Sequence, residues 1–160
     1  MANRVLVSWQ GGVKVPEGFD DNEIGKFVIK ILKRLEIDHE EISLLFCNDM
    51  AIQQMNRDYR NIDAPTDILS FENGGSYTDD EGQWLQAGDI AISIETLPKN
   101  AEYFNVSENE ELKRLLIHGV LHLNGYDHGE EHIEPGVPPT DEMLVLQEKI
   151  LSEFGDVKLI

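Results

Sequence analysis

The sequence predicts an α+β fold: a single domain, residues 1–160, in which a mixed four-stranded sheet carries about five packed helices. Three observations point there. Short apolar runs of strand length alternate with longer stretches in which apolar residues recur at i, i+3, i+4 and i+7. The runs come in the order strand, helix, strand, helix, strand, strand and then three helices. Hydrophobic residues make up 41% of the chain, enough for one substantial core.

Arg4 to Trp9 reads as the first strand, with Val5 and Val7 on one face and Leu6 on the other. Gly11-Gly12 and Val15-Pro16-Glu17-Gly18 punctuate a loop. Asp20-Asp21 cap a helix whose core stripe is Ile24, Phe27, Val28, Ile31, Leu32 and Leu35. Ile42 to Cys47 is a nearly continuous apolar run, hence a buried strand, with Cys47 as a packed thiol. Asn48 caps a second helix that packs through Ile52, Met55 and Tyr59. Pro65 forbids helix and biases Ala64 to an extended form. Ile68 to Phe71 is the third strand. Residues 72–87, with Gly74-Gly75 and the acidic Glu72, Asp79, Asp80 and Glu81, read as a mobile loop, and Gly88 to Ser93 as the fourth strand.

A short helix starts near Thr96, because Pro98 fits only a first helical turn, and packs through Leu97, Ala101 and Phe104. Ser107-Glu-Asn-Glu110 is a capping box. It opens a central helix with the core stripe Leu112, Leu115, Leu116, Gly119 and Leu123. A Pro-rich loop follows His128. The last helix starts at Thr140-Asp-Glu-Met143 and runs through Leu144, Leu146, Ile150 and Leu151.

The end of the central helix concentrates the chemistry. Three of the five histidines, His118, His122 and His128, fall within eleven residues. His118 and His122 are four apart and share a helix face. Gly125 offers the left-handed position that ends a helix, so the chain can turn back and bring His128 to the same point. Three converging imidazoles with a fourth position open to water are the ligand set of a catalytic zinc, one per chain. The competing bland reading is a half-buried helix face with unrelated histidines. The third histidine and the glycine weigh against it. His132 is a rival third ligand, ranked below His128 because prolines and glycines surround it. His39 stands alone among charges and is given no role. The spacing H-x3-H-x5-H matches the metzincin pattern H-E-x-x-H-x-x-G-x-x-H, except that Gly119 stands where the general-base glutamate would be.

Composition limits the partners. Thirty-one acidic residues against thirteen basic give a net charge of −18, so the overall field repels polyanions and any RNA contact must be local. No apolar run reaches the length of a membrane span. The start, Met-Ala-Asn-Arg-Val-Leu-Val-Ser-Trp, does not read as a signal peptide, and a lone Cys47 makes no internal disulfide. The expectation is a cytoplasmic protein without membrane or DNA partners.

The eleven residues His118-Gly-Val-Leu-His-Leu-Asn-Gly-Tyr-Asp-His128 closely resemble the signature of the YbeY family of bacterial metal-dependent endoribonucleases. Asn56-Arg-Asp-Tyr59-Arg60, Asp63-Ala-Pro65-Thr66-Asp67-Ile68-Leu69-Ser70-Phe71, Gly88-Asp89-Ile90 and Glu142-Met143 resemble it too, in the same order. The likeness covers roughly residues 40 to 151. It implies a zinc held by His118, His122 and His128. It also implies a role in ribosomal RNA maturation, chiefly at the 3′ end of the small-subunit RNA, and in ribosome quality control. The partners implied are ribosomal RNA or the small ribosomal subunit. The family's important arginine falls on Arg60, with Arg57 one helical turn before it; on its own sequence context Arg60 reads as a surface arginine at a helix end. The acidic segment 72–87 and the Pro-rich insertion after His128 depart from the family.

With zinc bound by neutral imidazoles, Arg60 would contribute a two-pronged phosphate contact. Asp127 is either an acceptor for an imidazole N–H or the cap of the turn. No general base is evident; metal-bound hydroxide or the RNA's own 2′-hydroxyl fills that role. Two rival functions share the ligand spacing: a zinc peptidase or other zinc hydrolase, and a ribosome-assembly protein whose zinc is structural.

Overall fold

The computed structural model describes residues 2–160. The elements run β1 (Arg4–Trp9), α1 (Asp21–Arg34), β2 (Glu40–Cys47), α2 (Asp49–Arg60), β3 (Ile68–Asp79), β4 (Gly82–Ser93), α3 (Thr96–Phe104), α4 (Glu108–Leu123) and α5 (Glu142–Glu153). The sheet order is β1-β2-β4-β3. β1 and β4 lie parallel to β2, and β3 runs antiparallel to β4. The mixed four-stranded sheet and five helices agree with the sequence expectation.

One sheet face carries Ile42, Leu44, Phe46, Ile90 and Ile92, all buried, and the main core forms between it and α1 and α4. The stripes of α1 and α4 supply the other half: Ile24, Phe27, Val28, Ile31 and Leu32, then Leu112, Leu115, Leu116 and Leu123. The opposite sheet face packs against α2. Ile52 is buried there with Cys47, Leu69 and Ala91, so the thiol is packed and burial pushes its pKa up to about 11. Tyr59, expected to pack, touches the edge of Phe71 at 5.4 Å but is 68% exposed, because α2 ends over the sheet's rim.

Gly119 explains how closely α4 lies on the sheet. A Cβ at this position would come within 2.8 Å of Ile90 Cδ1 and 3.2 Å of Ile68 Cδ1. Any side chain here would have to displace the packed Ile90 and Ile68.

The caps follow the sequence. Asp20 Oδ1 accepts from Asn22 N and Glu23 N, Asn48 Oδ1 from Ala51 N, and Ser107 Oγ from Glu110 N. The capping box is formed from the serine side. Glu110 itself lies 3.4 Å from the Nζ of Lys113, which is fully buried and donates to the carbonyls of Phe154 and Gly155 behind α5.

Residues 72–87 are not a loop. They extend β3 and β4 into a long hairpin that turns at Asp79–Gly82. The cause is Trp84, 1% exposed, covered by the Arg4 guanidinium at 3.8 Å and by the His39 ring at 4.7 Å. Asp79 accepts from the Trp84 indole N–H and pairs with Arg4 at 2.7 Å, while Arg4 also donates to the Tyr77 hydroxyl. Gly74-Gly75 mark a register shift in the ladder rather than a break. His39 therefore has a place, at φ 58°, packing against this hairpin.

Candidate metal centre

α4 presents His118 and His122 one turn apart, with ring centroids 4.5 Å from each other. The helix then closes with Tyr126 N donating to Leu121 O and Gly125 N to His122 O, with Gly125 at φ 88°. This paired closure, with a left-handed glycine, reverses the chain. Asp127 shapes the next turn: its Oδ1 accepts from His128 N at 2.8 Å and from Gly129 N at 3.3 Å. The His128 ring arrives 5.2 Å from each of the other two. One ring nitrogen from each of His118, His122 and His128 lies within 4.8 Å of the others.

Each Nδ1 has its own acceptor. His118 Nδ1 lies 2.7 Å from Gln147 Oε1, His122 Nδ1 lies 3.1 Å from Tyr126 O, and His128 Nδ1 lies 2.7 Å from Glu131 O. Acceptors on Nδ1 keep the proton there, and the lone pair of Nε2 is what remains for a metal. Burial, and then the neighbouring His122, pulls the His118 pKa down to about 4; burial and then His128 lower that of His122. Both rings are neutral at pH 7, as ligation requires. The donor set fits zinc with three protein nitrogens and an open position.

Glu131 ties the third histidine to the scaffold. Its carbonyl orients His128, while its carboxylate accepts from Thr140 N at 2.9 Å and Asp141 N at 3.1 Å, just before α5. The Pro-rich loop 129–139 is held at both ends although it contains only one isolated bridge, Glu134 to Val137.

Two cavities border the histidines. The larger, about 590 Å³, is lined by His118, His122, Arg60 and residues 68–72 of β3. Arg60 Nη2 donates to Ser70 O at 2.6 Å, and its Cζ lies 5.3 Å from the Phe71 ring, so the guanidinium is fixed in the cavity wall. Arg57 does not reach it; half-exposed, it lies 3.5 Å from Asp58. The second cavity, about 330 Å³, lies on the other flank between His118, His128 and His132 on one side and Asp67, Glu111 and Arg114 on the other.

The structure thus groups His118, His122 and His128, and sets Arg60 in the cavity that His118 and His122 line. The His132 ring stands 5.7 Å from that of His128, outside the group of three. Of the two readings of Asp127, the structure shows the turn cap: the N–H groups of Gly129 and His128 hold its carboxyl below the usual range, and the imidazole N–H groups go elsewhere. Sequence reading missed Gln147 and Glu131. Gln147 left a signal, being the polar member of the buried stripe Met143, Leu144, Gln147, Ile150 and Leu151.

The sequence model of the family described as endoribonuclease YbeY matches residues 13–155. A Treponema denticola protein of that description is 44% identical over 160 residues, covering 99% of this chain and 98% of its own. One from Treponema pallidum is 45% identical over 152 residues, covering 94% and 89%. Among solved structures, the solution structure of TM1509 from Thermotoga maritima shares the fold, with a TM-score of 0.57 at 24% identity over 95% of this chain and 90% of that one. Likeness over nearly the whole chain, including its histidine centre, places the protein in the YbeY endoribonuclease family.

Proposed function

We propose that this protein is a metal-dependent endoribonuclease that cleaves single-stranded RNA, with zinc held by His118, His122 and His128 and with Arg60 contacting the scissile phosphate. One observation carries the reading: three imidazoles with Nδ1 already bonded converge, and two of them, His118 and His122, line a 590 Å³ cavity together with the fixed Arg60 guanidinium. A zinc ion bound there supplies Lewis acidity and a water whose pKa falls to about 7.

The chain's own residues do the rest. The three acceptors hold the rings in the ligating tautomer. Ser70 O engages one N–H of Arg60, leaving the remaining guanidinium donors for phosphate oxygens. The Gly119 close packing keeps α4 and its histidines at a constant distance from β3.

This geometry disfavours both rivals. The metzincin-like general base is absent, since position 119 is a glycine packed against Ile90 and Ile68. A purely structural zinc is normally closed by four protein ligands, whereas here three histidine nitrogens converge and two of the three rings line a cavity. The physiological substrate we assign is ribosomal RNA, at the 3′ end of the small-subunit RNA, with the small ribosomal subunit as partner, in the cytoplasm. No helix among the described residues is long and apolar enough to cross a membrane.

The test is incubation of purified protein with a labelled single-stranded RNA and, separately, with casein, with and without chelator. RNA cleavage abolished by chelator and restored by zinc is the expected result. Casein cleavage without RNA cleavage overturns the proposal. The product ends report the nucleophile: a cyclic 2′,3′-phosphate marks the RNA's own hydroxyl, and a 5′-phosphate with a 3′-hydroxyl marks water.

A further inference from the structure

We propose that Gln147 is a positioning residue for the metal centre, selecting the His118 tautomer that leaves Nε2 bare, and that Glu148, Arg114 and Glu111 form the clamp that orients its amide. This rests on the reading of the histidines as metal ligands.

Gln147 is 1% exposed, and its Oε1 lies 2.7 Å from His118 Nδ1. An amide can present either its oxygen or its NH2 to a neighbour. The oxygen keeps the His118 proton on Nδ1. The flipped amide would donate to Nδ1 and move that proton to Nε2, where it blocks ligation. The neighbour on the far side decides between them. Gln147 Nε2 lies 3.2 Å from Glu148 Oε2, and a carboxylate only accepts, so the NH2 must face it.

Glu148 is itself held. Arg114 reaches its two oxygens with Nε at 3.1 Å and Nη2 at 3.3 Å, the two-pronged geometry that fixes a carboxylate plane. Arg114 Nη1 donates in turn to Glu111 at 2.5 Å. His122 and His128 need no such device, because their Nδ1 atoms face backbone carbonyls, which cannot donate. His118 is the one ligand whose tautomer depends on a side chain. The clamp also gives a place to the buried pair of Glu111, 1% exposed, and Arg114, 12% exposed.

The experiment uses zinc alone as probe, titrated in competition with a chromophoric chelator, and Co²⁺ absorption as a report on ligand geometry. Gln147→Leu is expected to weaken zinc binding about 10- to 100-fold and to alter the Co²⁺ spectrum. Glu148→Leu, at a side chain 28% exposed, weakens it less, by freeing the amide to rotate. The exchange Gln147→Glu/Glu148→Gln restores an acceptor to His118 and recovers affinity, which a merely structural role would not. Should Gln147→Leu fail to fold, Glu148→Leu and the exchange carry the test. Wild-type affinity in Gln147→Leu, or in Glu148→Leu where only that variant folds, overturns the inference. A wild-type protein that binds no zinc, and that His122→Ala leaves unchanged, overturns the metal reading itself.

Discussion

Arg60 and Arg114 each line a cavity beside the histidines, Arg60 with His118 and His122 and Arg114 with His118 and His128, and their surroundings differ in exposure and in bonded partners. Arg60 is exposed at the end of α2, held by a neutral carbonyl, and faces the larger cavity. Arg114 is 12% exposed on α4 and has both its charge and its donors engaged by Glu111 and Glu148. One guanidinium is pinned yet retains its charge for an incoming anion. The other has each of its three nitrogens already bonded to a carboxylate, Glu148 or Glu111. The proposed roles therefore rest on what each guanidinium is already bonded to rather than on its place beside the histidines.

That contrast is open to attack, beginning with the histidines proposed to hold the metal. His122→Ala and His128→Ala should each drop bound zinc well below one per chain, measured by metal analysis after dialysis, whereas His132→Ala should retain it. Full zinc in His128→Ala would remove the centre from between the two arginines.

Arg114→Met should cost about 3–5 kcal/mol of stability, the scale for stripping one partner from a buried ion pair. The loss should grow with pH. Burial already raises the Glu111 carboxyl to about 7, from an ordinary 4.5, in spite of Arg114. A group raised in the folded state contributes stability that is complete below 4.5 and is lost as pH rises through about 7. Without Arg114 the folded-state pKa of Glu111 rises further, so the variant should lose more at pH 8 than at pH 6 in denaturant melts. An equal loss at both would mean that Glu111 is not the group left uncompensated.

Arg60→Ala should behave in the opposite way. Its melting and zinc content should match the wild type, while single-turnover RNA cleavage falls about 10²- to 10³-fold, the scale for one transition-state donor. Arg60→Lys should recover only part, since an ammonium cannot reproduce the two-pronged contact. Cleavage at the wild-type rate would make Arg60 a surface residue. The smallest effect belongs to Arg57→Ala. It lies outside the cavity lining, and its cleavage rate should stay within a few-fold of wild type.

The parts of this molecule that depend on neighbours a few residues apart could be read from the chain. The stripes of α1 and α4 follow the 3.6-residue period, the Asp20, Asn48 and Ser107 caps bond two or three residues ahead, and His118 and His122 share a face because they are four apart. Gly125 closes the helix through bonds to Leu121 and His122, so even the return toward His128 is local geometry. What only the tertiary structure decided rests on partners far along the sequence. The acidic segment 72–87 became a hairpin because Arg4, from the first strand, covers Trp84. Gln147 meets His118 across 29 residues and Arg114 meets Glu148 across 34, and Arg60 joins the centre only because β3 returns between α2 and α4. Local hydrogen bonding and helical periodicity repeat wherever the same residues recur. The use of a buried polar or charged side chain depends on which distant group the packed core delivers to it.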